Sequence, residues 1–210
     1  EVAARLVASD YAVYALDHRG HGRSGGPRAN IDRFAYLVSD LGTFAGRAQR
    51  EHPGAPVFLL GHSMGGAVAL ACALRYKGRL KGLALSAPAL ATGEAVSSFK
   101  RLTLRLLSSL APNTGALTLP ATAISRDPAV VEAYEQDPLV FRGAIPARTI
   151  VELLQAMDAF PASAPELRIP VLVQHGTADT LVPLARHDPV QDQVGQPRSG
   201  TRSDREGQFL

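Results

Sequence analysis

A serine held between glycines is the first feature of this chain that could do chemistry. Gly61-His62-Ser63-Met64-Gly65 follows the apolar run Val57-Phe58-Leu59-Leu60 and leads into Gly66-Ala67-Val68-Ala69-Leu70. A G-x-S-x-G segment between a strand and a helix can hold its serine on a sharp turn with strained backbone angles. Side chains at positions 61 and 65 are expected to collide with that turn, so glycine suits both. Ser63 is then a candidate nucleophile lifted above a sheet. The N-terminus of the following helix offers the Met64 backbone N–H to a developing oxyanion. An ordinary glycine turn is the plainer reading, and the flanking strand and helix patterns argue against it.

Two further segments carry candidate groups. Asp179, in His175-Gly176-Thr177-Ala178-Asp179, comes just after the apolar run Ile169 to Gln174. Open α/β sheets gather their catalytic groups beyond such strand ends. A carboxylate there can orient a histidine and stabilise its cation. A helix cap or turn aspartate is the alternative; Ser63 upstream, in the order serine, aspartate, histidine, weighs against it. The loop Asp17-His18-Arg19-Gly20-His21-Gly22-Arg23-Ser24 offers two histidines, but no further Cys, His or carboxylate cluster completes a metal site. It reads as a structural loop with Asp17 and Arg19 bonded internally.

The elements that must position these groups alternate short apolar runs with helical patterns, as in a parallel α/β sheet. Strands are expected at Tyr11–Leu16, Val57–Leu60, Leu80–Leu85 and Ile169–Gln174. Val57–Leu60 is apolar on both faces, as a buried central strand would be. Helical spacing marks Glu1–Ala8, Ile31–Glu51 and Met64–Tyr76. From Ala87 to about Pro165 no clean strand is visible, only helical patterns broken by prolines, which predicts a helical cap inserted into the sheet. The expected organisation is a first part of the core over 1–86, a cap over 87–165, a second part of the core over 166–185 and an irregular tail over 186–210.

The 210 residues suit one domain with such an insertion, and 46% hydrophobic with 20% charged residues is ordinary for a packed protein. The formal net charge is +3, with the signs interspersed, so nucleic-acid binding has little support. The single cysteine, Cys72, lies in an apolar helical run and fits a reducing compartment. No signal peptide or transmembrane stretch is visible in these residues, which predicts a cytoplasmic or membrane-peripheral protein. The oligomeric state is not legible.

The runs DHRGHGRSGG (17–26), GHSMGG (61–66), LSAPAL (85–90), ISRDPAVVEAYEQDPLV (124–140) and HGTADTLVP (175–183) together resemble the monoacylglycerol lipases of the α/β-hydrolase superfamily. The likeness is to the bacterial, mycobacterial-type members and spans about residues 1–184; similar chains are grouped with the serine aminopeptidase-like hydrolases. The resemblance implies a doubly wound, mostly parallel sheet with a helical cap. It also implies Ser63 as nucleophile, Asp179 as acid of the triad, Met64 N–H as one oxyanion donor and no metal or organic cofactor. The substrate it implies is a small lipid ester, a monoacylglycerol cleaved through an acyl-enzyme, with the cap lining an acyl-chain tunnel. His62 and the cap around Leu102 and Leu106 are the candidate substrate-binding residues.

Phe99, Leu102, Leu106, Leu107 and Leu110 fall on one helical face, with Arg101 and Arg105 roughly opposite. Such a helix can rest on an anionic lipid surface or pack its leucines on the cap's own core.

The pattern of that family breaks at both ends. The family places a His-Gly turn before its first helix, and this sequence starts within that helix, so the second oxyanion donor is expected to be missing. The family's triad histidine follows a further helix and strand. The one later histidine here is His187, a candidate base whose plain alternative is a helix-surface residue. The sequence therefore reads as a fragment, altered after about residue 185, with exposed sheet edges expected. A general esterase, lysophospholipase or serine peptidase of the same fold, or a catalytically dead remnant, are the alternatives to a lipid esterase.

Overall fold

The computed structural model describes residues 2–91, 97–182 and the backbone of 201–202. The chain opens with α1 (Val2–Val7), then α2 (Phe34–Glu51), β1 (Phe58–His62), α3 (Met64–Arg75) and β2 (Gly82–Ser86). The stretch between β2 and the next sheet strand holds α4 (Ser98–Leu110), β3 (Gly115–Leu117), α5 (Pro128–Gln136), β4 (Ile145–Pro146) and α6 (Ala147–Ser163). β5 (Val171–Gln174) returns to the sheet, and β6 (Thr201–Arg202) pairs beside it.

The main sheet runs β1-β2-β5-β6 with every pair parallel. Its register sets His62 beside Ser86 and Ser86 beside Gln174, so the three strands end level at one edge. The core lies between this sheet and α2, α3 and α6, built on Leu37, Leu70, Val68, Leu85 and Val173, each almost wholly buried. α3 carries small and apolar residues on nearly every side, which lets it sit in the middle of this layer.

Three expectations change. Tyr11–Leu16 has strand-like composition yet forms no strand, because among the described residues no neighbour pairs with it. Strand propensity becomes a strand only where a ladder partner exists. Among the described residues β1 is the edge of the sheet and only half buried: Leu59 is covered, whereas Phe58 and Leu60 are exposed on the face that none of the described helices covers. The third change lies between β2 and β5, where two short strands, β3 and β4, pair antiparallel among the helices.

Polar bonds tie the inserted helices to the core. The buried Thr149 hydroxyl on α6 accepts the Ile31 N–H at 2.8 Å and donates to the Ala29 carbonyl at 2.7 Å. Glu152, one turn on, accepts the Phe34 N–H at 2.9 Å, so a carboxylate of α6 caps the otherwise uncapped N-terminus of α2. The SRDP segment starts α5: Asp127 caps the Ala129 N–H at 2.9 Å, and Pro128 occupies the first turn, where its missing N–H costs nothing.

α4 is turned inside out. Phe99 (78% exposed), Leu102 and Leu106 (both 56%) and Leu110 (85%) form an outward stripe. The side that meets α6 holds a buried Ser108 and an Arg101–Asp158 ion pair at 2.6 Å. Of the five residues expected on one face, Leu107 is partly covered, whereas among the described residues Phe99, Leu102, Leu106 and Leu110 are not packed onto the inserted helices. Among the described residues no helix is long and apolar enough to cross a membrane.

Candidate active site

Ser63 sits one residue beyond the level ends of the strands, between β1 and α3. Its backbone is at φ 51°, ψ −123°, a region that L-residues avoid at a cost of about 1–3 kcal/mol. The surroundings hold it there on both sides. Its N–H donates to the Ser86 carbonyl at 3.0 Å, continuing the ladder one step past β1. Its carbonyl accepts N–H groups from Gly66 at 2.9 Å, Ala67 at 3.3 Å and Ala89 at 3.0 Å. The Ser86–Ala89 loop thus grips the strained residue at both ends, a role the LSAPAL letters gave no sign of. That loop is strained in turn: Ala87 is at φ 39° and donates its N–H to the Gln174 carbonyl at 2.7 Å, tying the elbow to β5.

The space at the elbow corrects one expectation. A Cβ at position 61 would run into the Gly65 carbonyl and come within 2.8 Å of the Gly66 Cα, so glycine is required there. A Cβ at position 65 would meet nothing; the second close approach is at Gly66, where it would lie 2.6 Å from Pro88 Cβ. Gly65 contributes its backbone to the obstruction rather than needing the room itself. Gly66→Ala is therefore expected to lose about 1–3 kcal/mol of stability through overpacking against the elbow loop. Gly65→Ala should stay within about 0.5 kcal/mol of wild type, as substitutions away from packed features do. Urea unfolding of the two variants checks this, and equal losses would refute it.

The Met64 N–H belongs to the first turn of α3, where amides have no acceptor within the helix, which leaves it available to an oxyanion. His62 alternates onto the exposed face of β1, with Nδ1 at 3.2 Å from the Ser86 hydroxyl. Among the described residues no side chain is hydrogen-bonded to the Ser63 hydroxyl. His187 lies outside the described residues. Leu102 and Leu106 face outward on α4, each 56% exposed.

Asp179 lies past the end of β5 on the same sheet edge as Ser63. Its Oδ1 accepts the N–H groups of Leu181 and Val182, both at 2.9 Å, and its own N–H donates to the Gly176 carbonyl at 3.2 Å. The buried His175 donates from Nε2 to the Val182 carbonyl at 2.6 Å and stands 3.6 Å from Asp179 Oδ2. The Asp179 side chain is 20% exposed, enough to be reached from outside the loop.

The DHRGHGRS segment is a structural loop, although only half of it is bonded internally. Asp17 Oδ2 accepts the Arg23 N–H at 2.9 Å, and the Ser24 hydroxyl donates to the Asp17 carbonyl at 2.6 Å. Arg19 instead reaches α2, with a bidentate pair to Asp40 at 2.7 and 2.8 Å and its guanidinium 4.9 Å from the Tyr36 ring centre. Burial pushes the His18 imidazole below its ordinary pKa, with His21 adding to the shift. Among the described residues no group of His, Cys, Asp and Glu could hold a metal ion. Burial also pushes the Cys72 thiol up to about 11, so it is a protonated, inert core residue at neutral pH. A groove of about 510 Å³ opens between this loop and α2, lined by Leu16, Arg19, Phe44 and Arg47 among others, and Ser63 takes no part in it.

Comparison with known proteins shows the family and the fold. The profile of the family described as serine aminopeptidase, S33 matches residues 1–203. A monoacylglycerol lipase of Mycolicibacterium smegmatis is 42% identical over 193 residues, 92% of this chain and 69% of that protein. The human monoglyceride lipase is 36% identical over 182 residues, 86% of this chain and 60% of its own length. The present chain thus spans roughly two thirds of such relatives. Among solved structures, a monoacylglycerol lipase of Paleococcus ferrophilus superposes with a TM-score of 0.82 at 26% identity, covering 96% of this chain and 76% of that one. A soluble variant of a Saccharomyces cerevisiae monoglyceride lipase, at TM-score 0.73 and 20% identity, covers 89% of this chain and 66% of its own, and shares the fold.

Proposed function

We propose, from the premise that this chain belongs to the serine aminopeptidase S33 family of α/β-hydrolases, that it is a serine ester hydrolase acting on monoacylglycerols through Ser63. The observation that carries the reading is the strained Ser63 held at the level strand ends, with Asp179 past β5 on the same edge. The names of its relatives support the lipid-ester class.

In this mechanism the Ser63 hydroxyl attacks the ester carbonyl while a base takes its proton. The Met64 N–H stabilises the tetrahedral oxyanion, and the proton returns to the departing glycerol oxygen. Water then cleaves the acyl-enzyme, releasing the fatty acid and restoring Ser63. Asp179 orients the imidazole that serves as base and stabilises its cation; His187 is the sequence's candidate for that imidazole. No metal or organic cofactor enters the reaction. The test is glycerol release from monoacylglycerol in mixed micelles, set beside cleavage of aminoacyl amides. Glycerol release that Ser63→Ala abolishes is expected; amide cleavage without glycerol release would favour a peptidase.

The cap's outward stripe supports a lipid surface as the partner. Phe99, Leu102, Leu106 and Leu110 expose a band of large apolar side chains on α4, a helix that also carries Lys100, Arg101 and Arg105. An insoluble substrate is delivered at a lipid surface, and a basic amphipathic helix lies in such an interface. The expectation is sedimentation with phosphatidylglycerol vesicles that weakens by roughly tenfold or more in Leu102→Asp/Leu106→Asp. Equal sedimentation of the double variant would remove α4 from the contact.

A further inference from the structure

His175 is a buried, titratable side chain that the mechanism above does not use. It follows β5 directly, its side chain is only 3% exposed, and its Nε2 lies 2.6 Å from the Val182 carbonyl. A carbonyl can only accept, so Nε2 carries the proton. The peptide groups of Val182 are therefore gripped on both sides: its N–H is given to Asp179 Oδ1 at 2.9 Å, and its carbonyl receives the His175 Nε2–H. Leu181 donates to the same Oδ1 at 2.9 Å, and the Asp179 N–H closes a turn onto the Gly176 carbonyl at 3.2 Å.

We propose that His175 is the positioning residue of this loop: its Nε2–H, given to the Val182 carbonyl, closes residues 175–182 into a ring that fixes the Asp179 carboxylate. The proposal rests on the reading of Asp179 as the acid of the triad. A carboxylate on an open loop could rotate away from its imidazole partner, whereas one whose two amide donors are held in place cannot. The bond anchors the far end of the loop to the end of β5, the strand that Ala87 already ties to the Ser63 elbow. Misplacing a catalytic group by about 1 Å costs on the order of 10²-fold in rate.

The test uses the full chain with His175→Gln, which keeps an N–H near the ε position, and His175→Leu, which removes it. Amide hydrogen exchange at Leu181 and Val182 reads the ring without needing activity, and exchange at Leu70 and Leu85 checks that the core is intact. Fluorophosphonate capture at Ser63 reads the consequence. In His175→Leu the two loop amides are expected to exchange roughly tenfold faster, the core amides unchanged. Capture should slow by about 10²-fold in that variant, and His175→Gln should recover most of both losses. Unchanged loop exchange in His175→Leu, or no recovery in His175→Gln, overturns the proposal. So does loop exchange that rises while capture holds at the wild-type rate. A wild-type chain that fluorophosphonate does not label would defeat the reading of Ser63 instead, and the exchange data would still decide what His175 holds.

Discussion

Asp179→Asn is expected to slow monoacylglycerol turnover and fluorophosphonate capture by about 10⁴-fold while leaving the fold intact. The substitution separates charge from shape. Two backbone N–H groups, from Leu181 and Val182, point at Oδ1, so an asparagine must place its oxygen there and its NH₂ where Oδ2 now stands. The loop keeps its bonds. What is lost is the negative charge that stabilises an imidazolium, together with the acceptor that selects the imidazole's tautomer. Unfolding should move little, and turnover under saturating and limiting substrate should fall together, since the interaction lost belongs to the transition state. A fall of less than about tenfold would make Asp179 a turn residue, the plainer reading its position allows.

Ser63→Ala carries the other large effect, a loss of about 10⁶-fold in turnover. Removing the hydroxyl leaves the turn's backbone bonds untouched, because every bond that grips residue 63 runs through its main-chain N–H and carbonyl. The variant should therefore fold like wild type and fail only in chemistry, which makes it the proper blank for every assay of this chain.

Much of the elbow was legible in the sequence because its logic is local. An apolar run, a G-x-S-x-G turn and an Ala-rich helix follow one another within twenty residues, and strand, turn and helix form where they are expected, although the strand is only half buried. The choice between Gly65 and Gly66 was not legible. It depends on Pro88, which reaches Gly66 only once β2 lies beside β1. Tyr11–Leu16 shows the same limit from the other side: composition gives a propensity for strand, and the partner that would realise it is a tertiary matter. On α4 the spacing of Phe99, Leu102, Leu106, Leu107 and Leu110 identified a face, but periodicity does not say which face looks inward, and Leu107 is partly covered where the others are exposed. The Arg101–Asp158 pair and the buried Ser108 settle that from the side of α6. His175 sat within a quoted motif, yet nothing in the letters distinguishes a histidine that closes a loop from one that faces water.

The claim on which the rest depends is that Ser63 is an armed nucleophile in this chain. Intact-mass detection of fluorophosphonate labelling, with Ser63→Ala as control and circular dichroism to verify folding, tests it most directly. The account predicts one adduct per chain, formed rapidly and absent from Ser63→Ala. A folded wild-type chain that stays unlabelled would contradict it, and hydrolase would then describe this chain's family and not its activity.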